Sequence, residues 1–300
     1  MSSAAEAPGP ARVEVLAVVG VGLIGGSFAA ALRAAGKVGR VLGVGRHAHT
    51  LRQARRLGLI DEAVDLRQAA ASADLIMLAT PVGAMGRILS ELKPHLRAET
   101  LLTDVGSTKA DVARTACAVL GEGAAQFVPG HPIAGAERTG PEAADAALYR
   151  GRNVVLTPLA ENSLDARLRL TGLWESCGAR VLTMEPEAHD VVLASVSHVP
   201  HFLASVYMEQ VAAARDSDVR MSLAGTGFRD FTRIAAGSAE MWRDIFLANR
   251  SAVLSELAEI RQALAQAEQA LEREDGQSLY DWLERAALAR RLWGSRSGLS

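Results

Sequence analysis

The stretch VEVLAVVGVGLIGGSFAAALRAA, Val13 to Ala35, decides the fold of the chain that contains it. A run of β-branched and aliphatic residues from Val13 to Val19 stops at Gly20, and an Ala/Leu-rich segment without proline follows from about Leu23. This order predicts strand, glycine turn and helix. In such a GxGxxG unit Gly20 permits the tight turn out of the strand, and Gly22 lets backbone approach a pyrophosphate with no Cβ in the way. Gly25 lets the helix lie close on the sheet. The unpaired N–H groups and the positive dipole end of the helix, at Leu23 and Ile24, face the anion. The unit therefore predicts a dinucleotide site, with a tight-packing turn as its structural alternative.

Outward from this unit, strands and helices alternate. Short apolar runs at Val41 to Val44, Leu75 to Ala79, Leu101 to Thr103, Phe127 to Val128, Asn153 to Leu156 and Ala179 to Thr183 read as strands. Leu51 to Leu57 and Ser163 to Cys177 read as helices. The pattern predicts an α/β fold, a Rossmann-type doubly wound parallel sheet. Ligands of such sheets bind beyond the carboxyl ends of the strands, so the loops that matter are Gly20 to Gly25, Gly45 to His49, Thr80-Pro81, Gly106 to Lys109 and Gly130 to Glu137. From about Glu185 the texture becomes helical, with long segments at Ala188 to Ala214 and Trp242 to Arg273. The organisation read from this is a disordered tail over 1–12, a dinucleotide-binding domain over 13–184 and an all-helical substrate and dimerisation domain over 185–300, with a homodimer as the assembly.

Composition excludes several alternatives. The 300 residues carry a net charge of -2, which gives no electrostatic case for nucleic acid or an anionic membrane as a partner. Cys117 and Cys177 lie in Ala/Leu-rich surroundings without CxxC spacing, as reduced thiols do. The N-terminus lacks the basic and apolar regions of a signal peptide, and no uncharged apolar run reaches the ~18 residues of a membrane span. A cytoplasmic protein is the expectation.

The cofactor's identity turns on the end of the second strand. An NAD site places an acidic residue there for the ribose 2′-hydroxyl, about 20 residues past the glycine loop. This chain has Val44-Gly45-Arg46-His47. A guanidinium pairs naturally with a 2′-phosphate, so NADP is slightly favoured over NAD, with dual use open.

Four stretches are dense in reactive side chains: Gly106-Ser107-Thr108-Lys109, His131-Pro132-Ile133-Ala134-Gly135-Ala136-Glu137, Ser197-His198-Val199-Pro200-His201, and Gly225 to Ala235 (GTGFRDFTRIA) leading to Met241-Trp242-Arg243-Asp244. Together, in this order after a dinucleotide loop, they resemble the prephenate and arogenate dehydrogenases of tyrosine biosynthesis, the TyrA family, from Val15 to about Arg250. The resemblance implies oxidative decarboxylation of prephenate or arogenate. Hydride leaves the carbon bearing the ring hydroxyl, the ring carboxylate departs as CO2, and the ring becomes aromatic.

The same resemblance assigns roles. His131 is the general base on the ring hydroxyl, a role suited to a neutral imidazole, and Ser107 hydrogen-bonds both that hydroxyl and His131. Arg233 holds a substrate carboxylate as a bidentate fork, while Arg229 and Arg243 read as surface partners of Asp230 and Asp244. His201 contacts substrate, Glu137 and Trp242 close the cleft, and His198 and His189 orient loop and cofactor. Gly20, Gly22, Leu23, Ile24, Gly25, Arg46, Thr80 and Pro81 form the cofactor site. A metal is not expected, since no Cys or carboxylate completes a tetrahedral set around the histidines. The threonine usual after HPIAG is Ala136 here. The chain leaves no room for a fused mutase or a regulatory ACT domain. Two other readings share the glycine loop: a β-hydroxyacid or imine reductase, and a non-catalytic NADP-binding regulator.

Overall fold

The computed structural model describes residues 12–135 and 138–297, with side chains through 295. The segment read as a disordered tail thus lies, apart from Arg12, outside the described residues, as does Glu137.

The first strand, β1 (Val13–Val19), leads through Gly20 into α1 (Leu23–Ala34), as its sequence requires. The order continues β2 (Val38–Val44), α2 (Ala48–Arg56), β3 (Glu62–Ala63), α3 (Leu66–Ser72), β4 (Leu75–Leu78), α4 (Met85–Leu92), β5 (Leu101–Asp104), α5 (Ala110–Leu120) and β6 (Phe127–Val128). These six strands form one parallel sheet in the order β3-β2-β1-β4-β5-β6. The order reverses between β1 and β4, where a doubly wound sheet opens its ligand crevice.

Residues on β1 alternate between the two faces. Leu16 and Val18 join a core with Phe28, Tyr149 and Trp174, whereas Ala17 and Val19 join one with Ile88, Leu89 and Val112. Both faces are dry, which is why β1 and β4 read as nearly continuous apolar runs. Tyr149 is buried, packs edge-on against Trp174, and its hydroxyl donates to the Ile24 carbonyl at 2.6 Å, tying the first turn of α1 to the core.

The later strands do not extend this sheet. A second sheet has the order β7-β8-β9, built from β7 (Gly130–Pro132), β8 (Asn153–Leu156) and β9 (Arg180–Thr183), with α6 (Leu164–Ser176) between the last two. β7 runs antiparallel to β8 and pairs His131 with Val155. Only Pro129 separates β6 from β7, so the chain changes sheets immediately before His131.

The helical stretch begins with α7 (Pro186–Leu193), passes through a π-helical turn (Ala194–His198) and continues as α8 (Val199–Ala212). The π turn precedes Pro200, which has no N–H to donate to the preceding turn. By length and composition this continuous helix could cross a membrane. Its buried polar residues, His189, Asp190, His198 and His201, face protein partners instead, as in an interior helix of a globular domain. Then follow α9 (Ser217–Ser222), α10 (Thr226–Thr232), a 3-10 turn (Arg233–Ala236) and α11 (Ala239–Ala248). The long helix read over Trp242 to Arg273 is broken at Asn249, which closes α11 and whose side chain turns inward.

The described chain divides into two compact units, one ending at Arg250 and one beginning at Ser251. The second consists of α12 (Arg250–Glu272), after its first residue, and α13 (Gly276–Ser297). Its helices expose Leu264, Leu271, Trp282, Leu283 and Trp293 within that unit.

Candidate active site

A cleft of about 700 Å³ opens at the reversal of strand order. Its floor is the turn after β1. Gly20 has φ +99°, and a Cβ there would lie 2.2 Å from the Ala79 carbonyl oxygen, so only glycine fits. A Cβ on Gly25 would meet the Gly20 oxygen at 2.5 Å and Val18 at 2.6 Å, which makes Gly25 the close-packing residue between helix and sheet. Gly22 lines the cleft, and a Cβ built on it meets nothing within 4 Å. The N-terminus of α1 has no side-chain cap. Open space, absent Cβ and uncapped N–H groups fit a pyrophosphate.

Thr80 and Pro81 also line the cleft, and Thr80 Oγ1 is buried without a partner among the described residues. Leu23 and Ile24 are half-buried and do not line it. Arg46 lines the cleft together with His47 and Thr50, and the loop from Val44 to Leu51 brings no carboxylate to it. His47 and Thr50 escape a sequence reading because an isolated His or Thr at a helix start looks like a cap; here His47 makes no capping bond to α2. On the opposite wall α11 supplies Glu240, Arg243 and Asp244. It approaches closely at Gly83, where a Cβ would lie 2.8 Å from Asp244 Oδ2.

The second feature is a buried polar cluster. His131 Nδ1 lies 2.9 Å from His189 Nε2, and His189 Nδ1 lies 2.8 Å from Asp190 Oδ1. Asp190 in turn accepts the backbone N–H groups of Lys109 at 2.8 Å and Ala110 at 3.0 Å, capping α5 from another helix. Ser107, expected as a hydrogen-bond partner of His131, is half-buried, and its hydroxyl makes neither that bond nor a capping bond to α5 among the described residues. Asn249 Nδ2 donates to the Asp190 carbonyl at 2.7 Å and pairs with His198 Nδ1 at 3.1 Å. His198 is therefore bound at Nδ1 as acceptor and carries its proton on Nε2. That buried Nε2 makes no well-formed hydrogen bond among the described residues, although the Ser107 backbone bears on the ring.

Burial sets the charge of these rings. It pushes His131 well below the usual imidazole range, and the neighbouring His189, Lys109 and His198 add to the effect. Burial likewise brings His198 and His201 down to about 4. For Asp190 burial acts upward but is outweighed by the bonds from His189, Ala110 and Lys109, so it is held below the usual carboxylate value.

Behind His131 lies the fully buried pair Lys109–Asp104. Lys109 Nζ also donates to the Gly130 carbonyl at 2.8 Å, while Asp104 accepts from Gly106 N at 2.7 Å and Gly130 N at 3.1 Å. The pair joins the end of β5, the start of α5 and the residue before His131.

His201 is buried and stacks on Trp242, with centroids 3.6 Å apart and planes at 13°. Gly237 makes room for the stack, since a Cβ there would lie 2.6 Å from Trp242 Nε1. Arg233 opens the 3-10 turn that packs on α8 and is exposed. Arg229 and Arg243 pair with Asp230 and Asp244, as expected.

Known proteins agree with this arrangement. Residues 28–183 match the family model described as prephenate dehydrogenase, nucleotide-binding domain, and residues 185–285 match prephenate dehydrogenase, dimerization domain. The cyclohexadienyl dehydrogenase of Zymomonas mobilis is 34% identical over 278 residues, 92% of this chain and 94% of that protein. The prephenate dehydrogenase of Bacillus subtilis is 34% identical over 276 residues, covering 91% of this chain and 74% of that one. The crystal structure of Aquifex aeolicus prephenate dehydrogenase with hydroxyphenyl propionate and NAD+ superposes with a TM-score of 0.87 at 34% identity, over 93% of this chain and 97% of that one. A dinucleotide cleft of Rossmann type, a histidine cluster beside it and two adjoining family matches that together span most of the chain lead to one conclusion: the chain belongs to the prephenate dehydrogenase family.

Proposed function

We propose that this chain is a cytoplasmic, homodimeric enzyme that oxidatively decarboxylates prephenate, arogenate or both. Residues up to about 184 bind the dinucleotide, and the helical residues 185–300 complete the substrate site and the dimer. The observation that carries the reading is a half-buried, neutral His131 held by a carboxylate-anchored chain in a domain with a glycine-floored dinucleotide cleft. A reductase relying on a lysine or aspartate base has no such need. Appearance of reduced cofactor when purified protein is given either substrate tests the proposal.

The bound nicotinamide supplies the hydride acceptor. His131 takes the ring hydroxyl proton as hydride leaves the same carbon. The bond to the ring carboxylate then breaks, its electron pair enters the ring, and CO2 departs. His131 returns its proton to the resulting phenolate, so the step is proton-neutral overall. Ser107 holds the hydroxyl in line, and His198 turns its Nε2–H to the ligand. Glu137 and the His201–Trp242 stack close the substrate side.

Arg233 holds a substrate carboxylate. Arg233→Ala is expected to raise KM by the equivalent of about 2 to 4 kcal/mol with a smaller change in kcat. Initial-rate kinetics check this; an unchanged KM would reassign the carboxylate to Arg229 or Arg243.

Within the cofactor site, Leu23, Ile24, Thr80 and Pro81 join the three glycines, and Arg46 with its neighbours His47 and Thr50 receives the adenosine ribose. The enzyme uses either nicotinamide dinucleotide, with NADP preferred. Arg46→Ala is expected to weaken NADP binding about 10-fold and NAD binding less than twofold, as loss of one charge-assisted contact to a phosphate does. Equal weakening of both, measured by fluorescence titration, would remove the 2′-phosphate role.

A further inference from the structure

We propose that Asp190, acting through His189, is the positioning group that leaves His131 with a single acceptor nitrogen, Nε2, turned to the substrate hydroxyl. The inference rests on the assignment of His131 as the base and adds the residues that make it one.

A chain of hydrogen-bond directions runs from Asp190 to His131. Asp190 accepts two backbone N–H groups of the α5 start, at 2.8 and 3.0 Å, and is fixed by the protein before any ligand arrives. Held as a carboxylate, it can only accept, so His189 Nδ1, 2.8 Å away, must donate to it. A His189 ring carrying that single proton has its lone pair on Nε2. His131 Nδ1, 2.9 Å from that atom, must donate in turn. What remains on His131 is the Nε2 lone pair. Each ring's tautomer follows from the one behind it, and the first member is a carboxylate clamped by backbone.

The chain also has an electrostatic consequence. When His131 Nε2 takes the hydroxyl proton, the positive charge appears on a ring whose other nitrogen already points at an acceptor, and that acceptor is polarised by Asp190. The titratable groups near His131 are His189, Lys109 from the α5 start and His198 from the π turn, and as charges all three oppose a positive charge there. Lys109 is itself paired with Asp104. What the His189–Asp190 arm supplies is the hydrogen-bond acceptor for the His131 Nδ1–H, which leaves Nε2 to take the proton. His189 and Asp190 do not touch the reacting atoms in this scheme.

The experiment uses the full-length protein and three readouts: steady-state kinetics with pH, rescue by free imidazole, and nitrogen-15 spectra of the histidine rings. His189→Ala and Asp190→Asn are expected to lower kcat by about 10²-fold, with KM changed less than about twofold. Imidazole in the buffer should restore part of the lost rate to His189→Ala and none to His131→Asn. The His131 ring signals should change from one tautomer to a mixture.

If His189→Ala does not fold, His189→Gln keeps an acceptor for His131 but breaks the path to Asp190. It should preserve both the tautomer and most of kcat, and a large loss of kcat with the tautomer intact would overturn the proposal. A His189→Ala enzyme within about threefold of wild-type kcat, with His131 in one tautomer, overturns the proposal while leaving His131 as base. An active His131→Asn enzyme would instead remove the base assignment itself, so the two failures are separable.

Discussion

His131→Asn is expected to lower kcat by about 10² to 10⁴ while leaving dinucleotide affinity within about twofold, because a positioned general base contributes about that much. Asparagine keeps the size and a hydrogen-bonding group at the start of the second sheet but cannot take the hydroxyl proton. The cofactor cleft is lined by other residues, so its affinity should not follow the loss. Burial holds the His131 ring well below the ordinary imidazole value of 6.5, aided by His189, Lys109 and His198. The neutral, competent form therefore persists as pH falls through 6.5. The acid limb of kcat/KM should lie below that value, with a flat profile around neutrality. A limb at or above 6.5, or an activity loss under about threefold in His131→Asn, would remove His131 from the mechanism.

Lys109→Met is expected to destabilise the first unit by about 3 to 5 kcal/mol, the cost of leaving a buried carboxylate without its partner. Asp104 has no exposed side-chain surface, and burial drives its pKa up and that of Lys109 down, each opposed by the other charge. Loss of the lysine also frees the Gly130 carbonyl, one residue before His131. The Asp104→Asn/Lys109→Met double variant should recover part of the loss, since the uncompensated charge is gone. Denaturant unfolding followed by circular dichroism gives both numbers. A single variant within about 1 kcal/mol of wild type would mean that water or another cation reaches Asp104.

The dinucleotide half was legible because its causes are local. Gly20 takes a φ of +99° and Gly25 must clear the Gly20 oxygen and Val18, all within one turn of chain, and β1 and β4 read as apolar because both their faces are dry. The second sheet was not legible: β7 is three residues long, and its antiparallel pairing with β8 depends on a change of sheet at Pro129 that no periodicity signals. The break of the last long helical segment at Asn249 follows from a long-range bond to Asp190, fifty-nine residues away, rather than from local propensity.

The same holds at the site. His131, His198 and His201 stand out in sequence because they sit in dense, unusual motifs. Asp190, Asp104 and Asn249 look like ordinary helix or strand-end residues, and their importance comes from burial and from partners distant in the chain. Asp190 follows His189 directly, but nothing in that dipeptide shows that its carboxylate caps a different helix. Ser107 illustrates the converse, since a serine before a helix reads as its cap while the cap is in fact supplied by Asp190.

The most direct measurement is a two-by-two initial-rate assay of the purified protein, prephenate or arogenate against NAD or NADP. Turnover of at least one substrate with release of CO2 is expected, faster with NADP than with NAD. No turnover in any of the four combinations, with reduced cofactor still binding to the cleft, would contradict the dehydrogenase assignment.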